Sequence, residues 1–125
     1  MELSKISQNT VKLKGKNASL VIDPVSKIEA EIVISTQPLD TLALDKVEGQ
    51  RLVVSGPGEY EVGDVTARGH GVETMVDGKK KFTTIYQVVL KGINMVFLGA
   101  ISDENIDPQI LGEMGDIDIL FVPIG

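Results

Sequence analysis

The chain has 125 residues, of which 42% are apolar, and its 12 basic and 18 acidic side chains give a formal net charge of −6. This balance is typical of one globular domain rather than a disordered segment, so residues 1–125 are assigned to a single domain. The acidic charge disfavours binding to nucleic acid or to an anionic membrane. The absence of cysteine excludes disulfides and thiolate zinc sites.

The first residues contain neither the basic segment nor the apolar segment of a signal peptide. No apolar run reaches the roughly 20 residues that cross a bilayer as a helix. We therefore expect a cytoplasmic protein that does not enter a membrane.

Short strands dominate the first half of the chain. The predicted strands are 11–14, 18–22, 31–35 and 51–55. The third of these is a β-branched run typical of a strand that is covered on both faces. Apolar spacing over residues 39–47 predicts one short helix, which Gly49 ends.

Strands also dominate the second half, where one helix is inserted late. The predicted strands are 60–65, 72–76, 82–90, 93–98 and 117–124. The helix follows Asp107 as its N-cap, starts at Pro108 and ends before Gly115. The order predicts a strand-rich α+β fold with roughly nine strands and two short helices.

Five segments together resemble one family. They are 20–24 (LVIDP), 30–35 (AEIVIS), 53–62 (VVSGPGEYEV), 96–99 (VFLG) and 116–125 (DIDILFVPIG). In this order they are similar to the predicted zinc-dependent hydrolases of the metallo-β-lactamase fold, the group that resembles the ascorbate-phosphate lactonases. The resemblance implies a four-layer αββα sandwich built from two similar halves. This chain matches roughly the first half, so we expect a β-sandwich-like half of that fold.

The chain departs from the family where the family binds metal. Relatives carry a His-x-His-x-Asp-His loop after the strand that resembles residues 32–35, whereas this chain has Thr36, Gln37 and, further on, Asp40. Relatives then carry a His-Leu-Gly-Asp strand end, where this chain has Phe97 and Ala100 in place of the histidine and the aspartate. Of these five side chains only the Asp40 carboxylate suits a zinc ion. The comparison predicts no metal and no other cofactor.

His70 is the only histidine of the chain, and it lies between Gly69 and Gly71. A functional interpretation is a lone acid or base. The favoured interpretation is a surface turn residue, because the two glycines permit loop conformations. His70 lies a few residues before the family's next histidine ligand, so that role is not carried over to it.

Two charged groups have a structural and a functional interpretation. Glu59, Glu61 and Asp64 could bind a hard cation, but the alternation favours a strand with one solvated face. The lysines 79–81 flank a predicted hairpin turn and could contact a phosphate, but solubility and protection of a strand edge are favoured.

Half of a sandwich would leave an apolar sheet face uncovered, which soluble monomers rarely tolerate. We therefore expect a homodimer formed through that face, or docking onto another protein chain. The favoured function is a non-catalytic structural or partner-binding module. The alternative is a residual metal-dependent hydrolase of phosphorylated or lactone-type small molecules, which would use Asp40 and His70 with residues of a partner subunit.

Overall fold

A computed structural model describes residues 2–6, 10–36, 42–98 and 108–121, and for residues 74–76 and 81–82 it gives the backbone alone. In chain order the strands of this part are β1 (Glu2–Lys5), β2 (Val11–Lys14), β3 (Ser19–Ile22), β4 (Ile28–Glu29), β5 (Ile32–Ile34), β6 (Val47–Glu48), β7 (Leu52–Val54), β8 (Gly58–Val62), β9 (Val65–Val76), β10 (Lys79–Leu90), β11 (Ile93–Phe97) and β12 (Ile119–Phe121). A 3₁₀ turn spans Leu44–Lys46, and the helix α1 spans Pro108–Glu113.

Two five-stranded sheets organise these elements. The first sheet has the order β1-β2-β3-β5-β7, in which β3, β5 and β7 run parallel to one another. The second sheet has the order β12-β11-β10-β9-β8 and is antiparallel except for the β11–β12 pair. Strand β5 is buried throughout, as expected for a parallel strand with both faces covered.

The main core lies between the two sheets. It combines residues of the first sheet, such as Leu20 and Ile34, with residues of the second, such as Val88 and Met95, and all four are fully buried. Burial of such aliphatic side chains contributes about 1.5–3 kcal/mol each to folding. The inner face of each sheet is therefore covered by the other sheet of the same chain.

Thin layers cover the two outer faces. On the second sheet, Ile110, Leu111 and the buried Met114 pack over Val72, Ile85, Val96 and Leu98. On the first sheet, Val21 and Val33 pack with Ala30, Val47 and Leu44 from the β4–β6 pair and the 3₁₀ turn. The strand-rich α+β fold class is thus confirmed, with outer layers that are much smaller than the sheets.

The late helix is confirmed. It begins at Pro108, and Gly115 adopts a left-handed φ of 72° after its end. Its proposed N-cap, Asp107, and the predicted extension of the last strand to residue 124 lie outside the described residues. No helix among the described residues is long and apolar enough to cross a membrane.

The helix predicted over residues 39–47 is wrong in its described portion. Only Leu44–Lys46 form a 3₁₀ turn, and Val47 belongs to β6, where it pairs with Ile28. That parallel pairing joins residues far apart in sequence and overrides the local apolar spacing. The beginning of the predicted helix, Leu39, lies outside the described residues.

The strands are more numerous than predicted, and β9 and β10 are longer. The described part contains twelve, because β1, β4 and β6 were not expected. The strand predicted over residues 60–65 is interrupted by a turn at Gly63, whose φ is 59°. Beyond it, β9 and β10 extend for twelve residues each around the predicted Asp77-Gly78 turn.

The apolar face that was expected to be bare is covered. The expectation assumed that the missing half of the fold supplies the opposing sheet, whereas both sheets come from the described residues of this chain. The physical reason given for a homodimer therefore does not hold for this face, and association itself stays a prediction.

Candidate functional site at the carboxyl end of the sandwich

Three parallel strands of the first sheet end at one edge. Strand β3 leads into Asp23, β5 leads into Ser35 and Thr36, and β7 leads into Ser55 and Gly56. Carboxyl ends of parallel strands are where α/β proteins most often place ligand-binding loops. We call this edge the carboxyl end of the sandwich, and it is the candidate site.

A buried carboxylate joins two of these strand ends. Asp23 is 4% exposed, and its Oδ1 accepts the Thr36 backbone N–H at 2.7 Å. The Thr36 hydroxyl donates to the other carboxylate oxygen, and the Asp23 carbonyl accepts the Thr10 hydroxyl at 2.7 Å. Asp23 has a left-handed φ of 50°, which aspartate tolerates better than most residues. Its side chain thus links the end of β3 to the end of β5 through hydrogen bonds.

A buried tyrosine of the second sheet reaches the third strand end. Tyr86 is fully buried, and its hydroxyl accepts the Gly56 backbone N–H at 2.7 Å. Burial raises the pKa of Tyr86, while hydrogen bonds with Gly56 and the Thr84 side chain partly offset that rise. The tyrosine is therefore neutral at physiological pH and ties the two sheets together.

Phe97 lies next to Tyr86, on the neighbouring strand β11. Its side chain is 3% exposed and stacks on Phe121, with ring centroids 4.3 Å apart and an interplanar angle of 5°. Phe97 is the Cα partner of both Tyr86 and Phe121. The position that resembles a ligand histidine in the family thus carries a packed ring with no lone pair to donate.

His70 is not a turn residue, contrary to the favoured interpretation. It lies within β9 opposite Ile85, on the outer face of the second sheet, while the neighbouring Gly69 lies on the inner face. Its Nε2 is 3.3 Å from Oε1 of Gln87. Sequence alone could not exclude a turn because glycine flanks the histidine on both sides.

The hydrogen bonds of Gln87 fix the role of the imidazole. The Gln87 amide nitrogen donates to Oδ1 of Asn94 and to the Met114 carbonyl, both at 2.9 Å. Oε1 of Gln87 is therefore the acceptor that faces His70, and Nε2 of His70 carries the donated hydrogen. The imidazole joins a network that holds the segment after α1, on the outer face of the second sheet rather than on the inner face that carries Tyr86 and Phe97.

The two glycines beside His70 serve close packing. A Cβ on Gly69 would lie 2.6 Å from the Gly56 carbonyl oxygen, and a Cβ on Gly71 would lie 3.2 Å from Pro57. Both glycines are in extended strand rather than in a loop. They are needed because the loop between β7 and β8 packs directly on their backbone.

The acidic candidates do not converge. Glu59 pairs with Arg68 at 2.8 Å and is exposed, and Glu61 is exposed on the same strand. Asp64 lies in the turn before β9, where its Oδ1 is buried with no hydrogen-bond partner. In residues 2–6, 10–36, 42–98 and 108–121, no three His, Asp or Glu side chains group in a way that could hold a metal ion.

The remaining sequence candidates divide between surface and undescribed positions. Lys79 and Lys80 are exposed beside the hairpin turn, and Lys80 pairs with Glu73 at 3.4 Å. Gln37, Asp40 and Ala100 lie outside the described residues. The site residues that sequence reasoning missed are Asp23, as the partner of Thr36, and Tyr86. The Asp-Pro step after an apolar strand was a usable signal for the former, and nothing local marked the latter.

Comparison with solved structures supports the architecture. The chain superposes with a TM-score of 0.72 and 24% identity on a crystal structure from Thermotoga maritima, assigned to the Zn-dependent hydrolases of the metallo-β-lactamase superfamily. The match covers 94% of this chain and 58% of that one, so this chain spans little more than half the length of its structural relative. At this identity the likeness concerns the fold alone.

Comparison with known sequences gives the family. No curated protein matches the chain. The family model described as the Beta-lactamase superfamily domain matches residues 2–125. With the two-sheet fold and the structural match, this assigns the chain to the β-lactamase superfamily domain family.

Proposed function

We propose that this chain is a non-catalytic metallo-β-lactamase-like domain, without the family's zinc site, that acts as a structural or partner-binding module. The observation that carries the proposal is the position of its single histidine. His70 lies on the outer face of the second sheet and donates to Gln87, so it is on the opposite face from Tyr86 and Phe97, the inner-face residues of the carboxyl end.

The described residues at the carboxyl end do not fit a zinc ion. Catalytic zinc takes three protein ligands, usually with at least one histidine, and leaves one position open. Here the Asp23 carboxylate accepts two hydrogen bonds from Thr36, and Phe97 is stacked on Phe121. Elsewhere at this end, Tyr86 is neutral and bonded to Gly56.

Elemental analysis tests the proposal. Protein purified without chelators is expected to be folded and to contain far less than one equivalent of zinc or manganese. Stoichiometric metal that is lost in Asp40→Ala, with Glu59→Ala as an exposed acidic control, would support the residual hydrolase instead. In that case metal-dependent cleavage of phosphorylated or lactone-type small molecules would be the next assay.

We further propose that the module associates through strand edges rather than through a sheet face. Three of the exposed apolar side chains are Leu3, Ile6 and Leu120, which are 41%, 47% and 43% exposed. Leu3 lies on β1 and Leu120 on β12, each of which is one of the two edge strands of its sheet among the described residues, and Ile6 directly follows β1. Edge strands with exposed apolar residues readily pair with another chain. A cytoplasmic location remains part of the proposal.

Light scattering at tens of micromolar tests the association. A dimer is expected, and Leu120→Lys should shift it toward monomer because a charged residue on an edge strand opposes pairing. Val25→Lys is the matched control, since Val25 is 55% exposed but lies outside the strands. A wild-type protein that is wholly monomeric would refute self-association.

A further inference from the structure

One row of residues crosses the inner face of the second sheet at the carboxyl end. Its members are Cα partners on successive strands from β12 to β8, namely Phe121, Phe97, Tyr86, Gly69 and Gly58. Three aromatic rings occupy one half of the row, and two glycines occupy the other. The aromatic half of the row therefore projects side chains into the space between the sheets, and the glycine half leaves that space open to other parts of the chain.

The connection between the sheets, which is the loop between β7 and β8, packs against the glycine half of the row. A Cβ on Gly69 would lie 2.6 Å from the Gly56 carbonyl oxygen and 3.2 Å from Cα of Pro57. Contacts this short to backbone atoms cannot be relieved by moving a side chain. The Gly56-Pro57 loop thus fills the space that a side chain would occupy at Gly69, while at Gly58 that space is taken by the Tyr60 ring, whose hydroxyl would lie 2.9 Å from a Cβ.

The Tyr86 hydroxyl joins the aromatic half of the row to the Gly56-Pro57 loop. It accepts the Gly56 N–H at 2.7 Å, and the ring that carries it is fully buried between Phe97 and Gly69 in the row. The hydroxyl thus links the second sheet to the connection that comes from the first sheet.

We infer that this row is a latch that couples the two sheets at the carboxyl end, with Tyr86 as the residue that positions the Gly56-Pro57 loop. The inference rests on the proposed function, because an end that serves only structure can be crossed by packed side chains. It goes beyond that proposal in naming the residues that couple the two sheets there.

Amide hydrogen exchange tests the latch on the full chain. Tyr86→Phe keeps the ring and removes the hydroxyl, so the Gly56 amide should exchange about 10-fold faster, the factor that corresponds to about 1.4 kcal/mol. The melting temperature should fall by about 5 °C. Tyr60→Phe is the same change at the only other tyrosine; its hydroxyl lies beside Gly58 and has no bond to the Gly56 amide, so it should accelerate Gly56 exchange far less than Tyr86→Phe.

Two further results decide the outcome. Gly69→Ala should also accelerate exchange of the Gly56 amide, and if it does not fold, the Tyr86→Phe measurement stands alone. Unchanged Gly56 exchange in Tyr86→Phe would overturn the latch even if the wild-type protein is free of metal. Stoichiometric zinc in the wild-type protein would instead overturn the proposed function, so the two failures are distinguishable.

Discussion

Each end of the sandwich has an aspartate with a buried carboxylate oxygen, but among the described residues only the aspartate at the carboxyl end has hydrogen-bond donors to both of its oxygens. At the carboxyl end the Asp23 carboxylate is buried and accepts two hydrogen bonds from Thr36. At the other end, three turns converge around Gly15, Asp64 and Leu90, and Oδ1 of Asp64 is buried with no partner in the described part of the chain. The end that resembles the family's metal site is thus the better satisfied one, as expected if it serves stability.

The largest expected effect is at Phe97. Phe97→Ala removes a buried ring from the carboxyl end and its stack on Phe121, so the free energy of unfolding should fall by about 3–5 kcal/mol. Phe97→Leu keeps most of the volume and should cost less. Urea unfolding measures both, and a loss below about 1 kcal/mol for the alanine variant would contradict the account.

The two aspartates provide the sharpest contrast between the ends. Asp23→Ala leaves the Thr36 N–H and hydroxyl without their acceptor and places alanine at a left-handed φ, so we expect a loss of about 2–3 kcal/mol. Asp23→Asn retains an acceptor and should recover much of it. Asp64→Ala removes a carboxylate with a buried oxygen that has no partner, so it should leave the free energy of unfolding unchanged or raise it. Equal losses at both positions would remove the distinction between the ends.

The free energy of unfolding should fall at alkaline pH because of the raised pKa of Tyr86. Because burial raises its pKa in the folded state, the unfolded chain loses the phenolic proton first as the pH rises. The stability that this group contributes is complete below its unfolded pKa of about 10 and declines as the pH rises toward its folded pKa. Urea unfolding between pH 9 and 11 should show that decline in the wild type and a shallower one in Tyr86→Phe. Identical slopes would contradict it.

Among the hydrogen-bonded residues, the smallest loss is expected at His70. It lies on the outer face and contributes one long hydrogen bond to Gln87, so His70→Ala should cost about 0.5–1 kcal/mol. Gln87→Leu should cost more, because the Met114 carbonyl and the Asn94 side-chain oxygen each also lose a hydrogen-bond donor. A larger loss at His70 than at Gln87 would mean that the imidazole has a role beyond this network.

Local signals predicted the elements that depend on local chemistry. Pro108 and Gly115 mark the start and end of α1 because one has a fixed φ and the other tolerates a left-handed φ. The apolar run at 31–35 predicted a buried strand, confirmed as β5. The family resemblance supplied the sandwich, which these signals alone do not specify.

Contacts between distant residues explain what the sequence did not predict. Val47 pairs with Ile28 instead of continuing a helix, and Gly69 is glycine because Gly56 packs on it. The Asp23–Thr36 hydrogen bonds join residues 13 positions apart, and the Tyr86–Gly56 hydrogen bond joins residues 30 positions apart. No periodicity marks such pairs, so the filled carboxyl end became visible only in the folded chain.

Thermal unfolding with and without excess zinc tests the central claim most directly. A ligand that binds only the folded state at 1,000 times its dissociation constant stabilises it by about 4.1 kcal/mol, enough to raise the melting temperature by more than about 10 °C in a domain of this size. We predict the same melting temperature in millimolar zinc as in chelator. A clear rise in zinc that Asp40→Ala abolishes would contradict a domain without a zinc site.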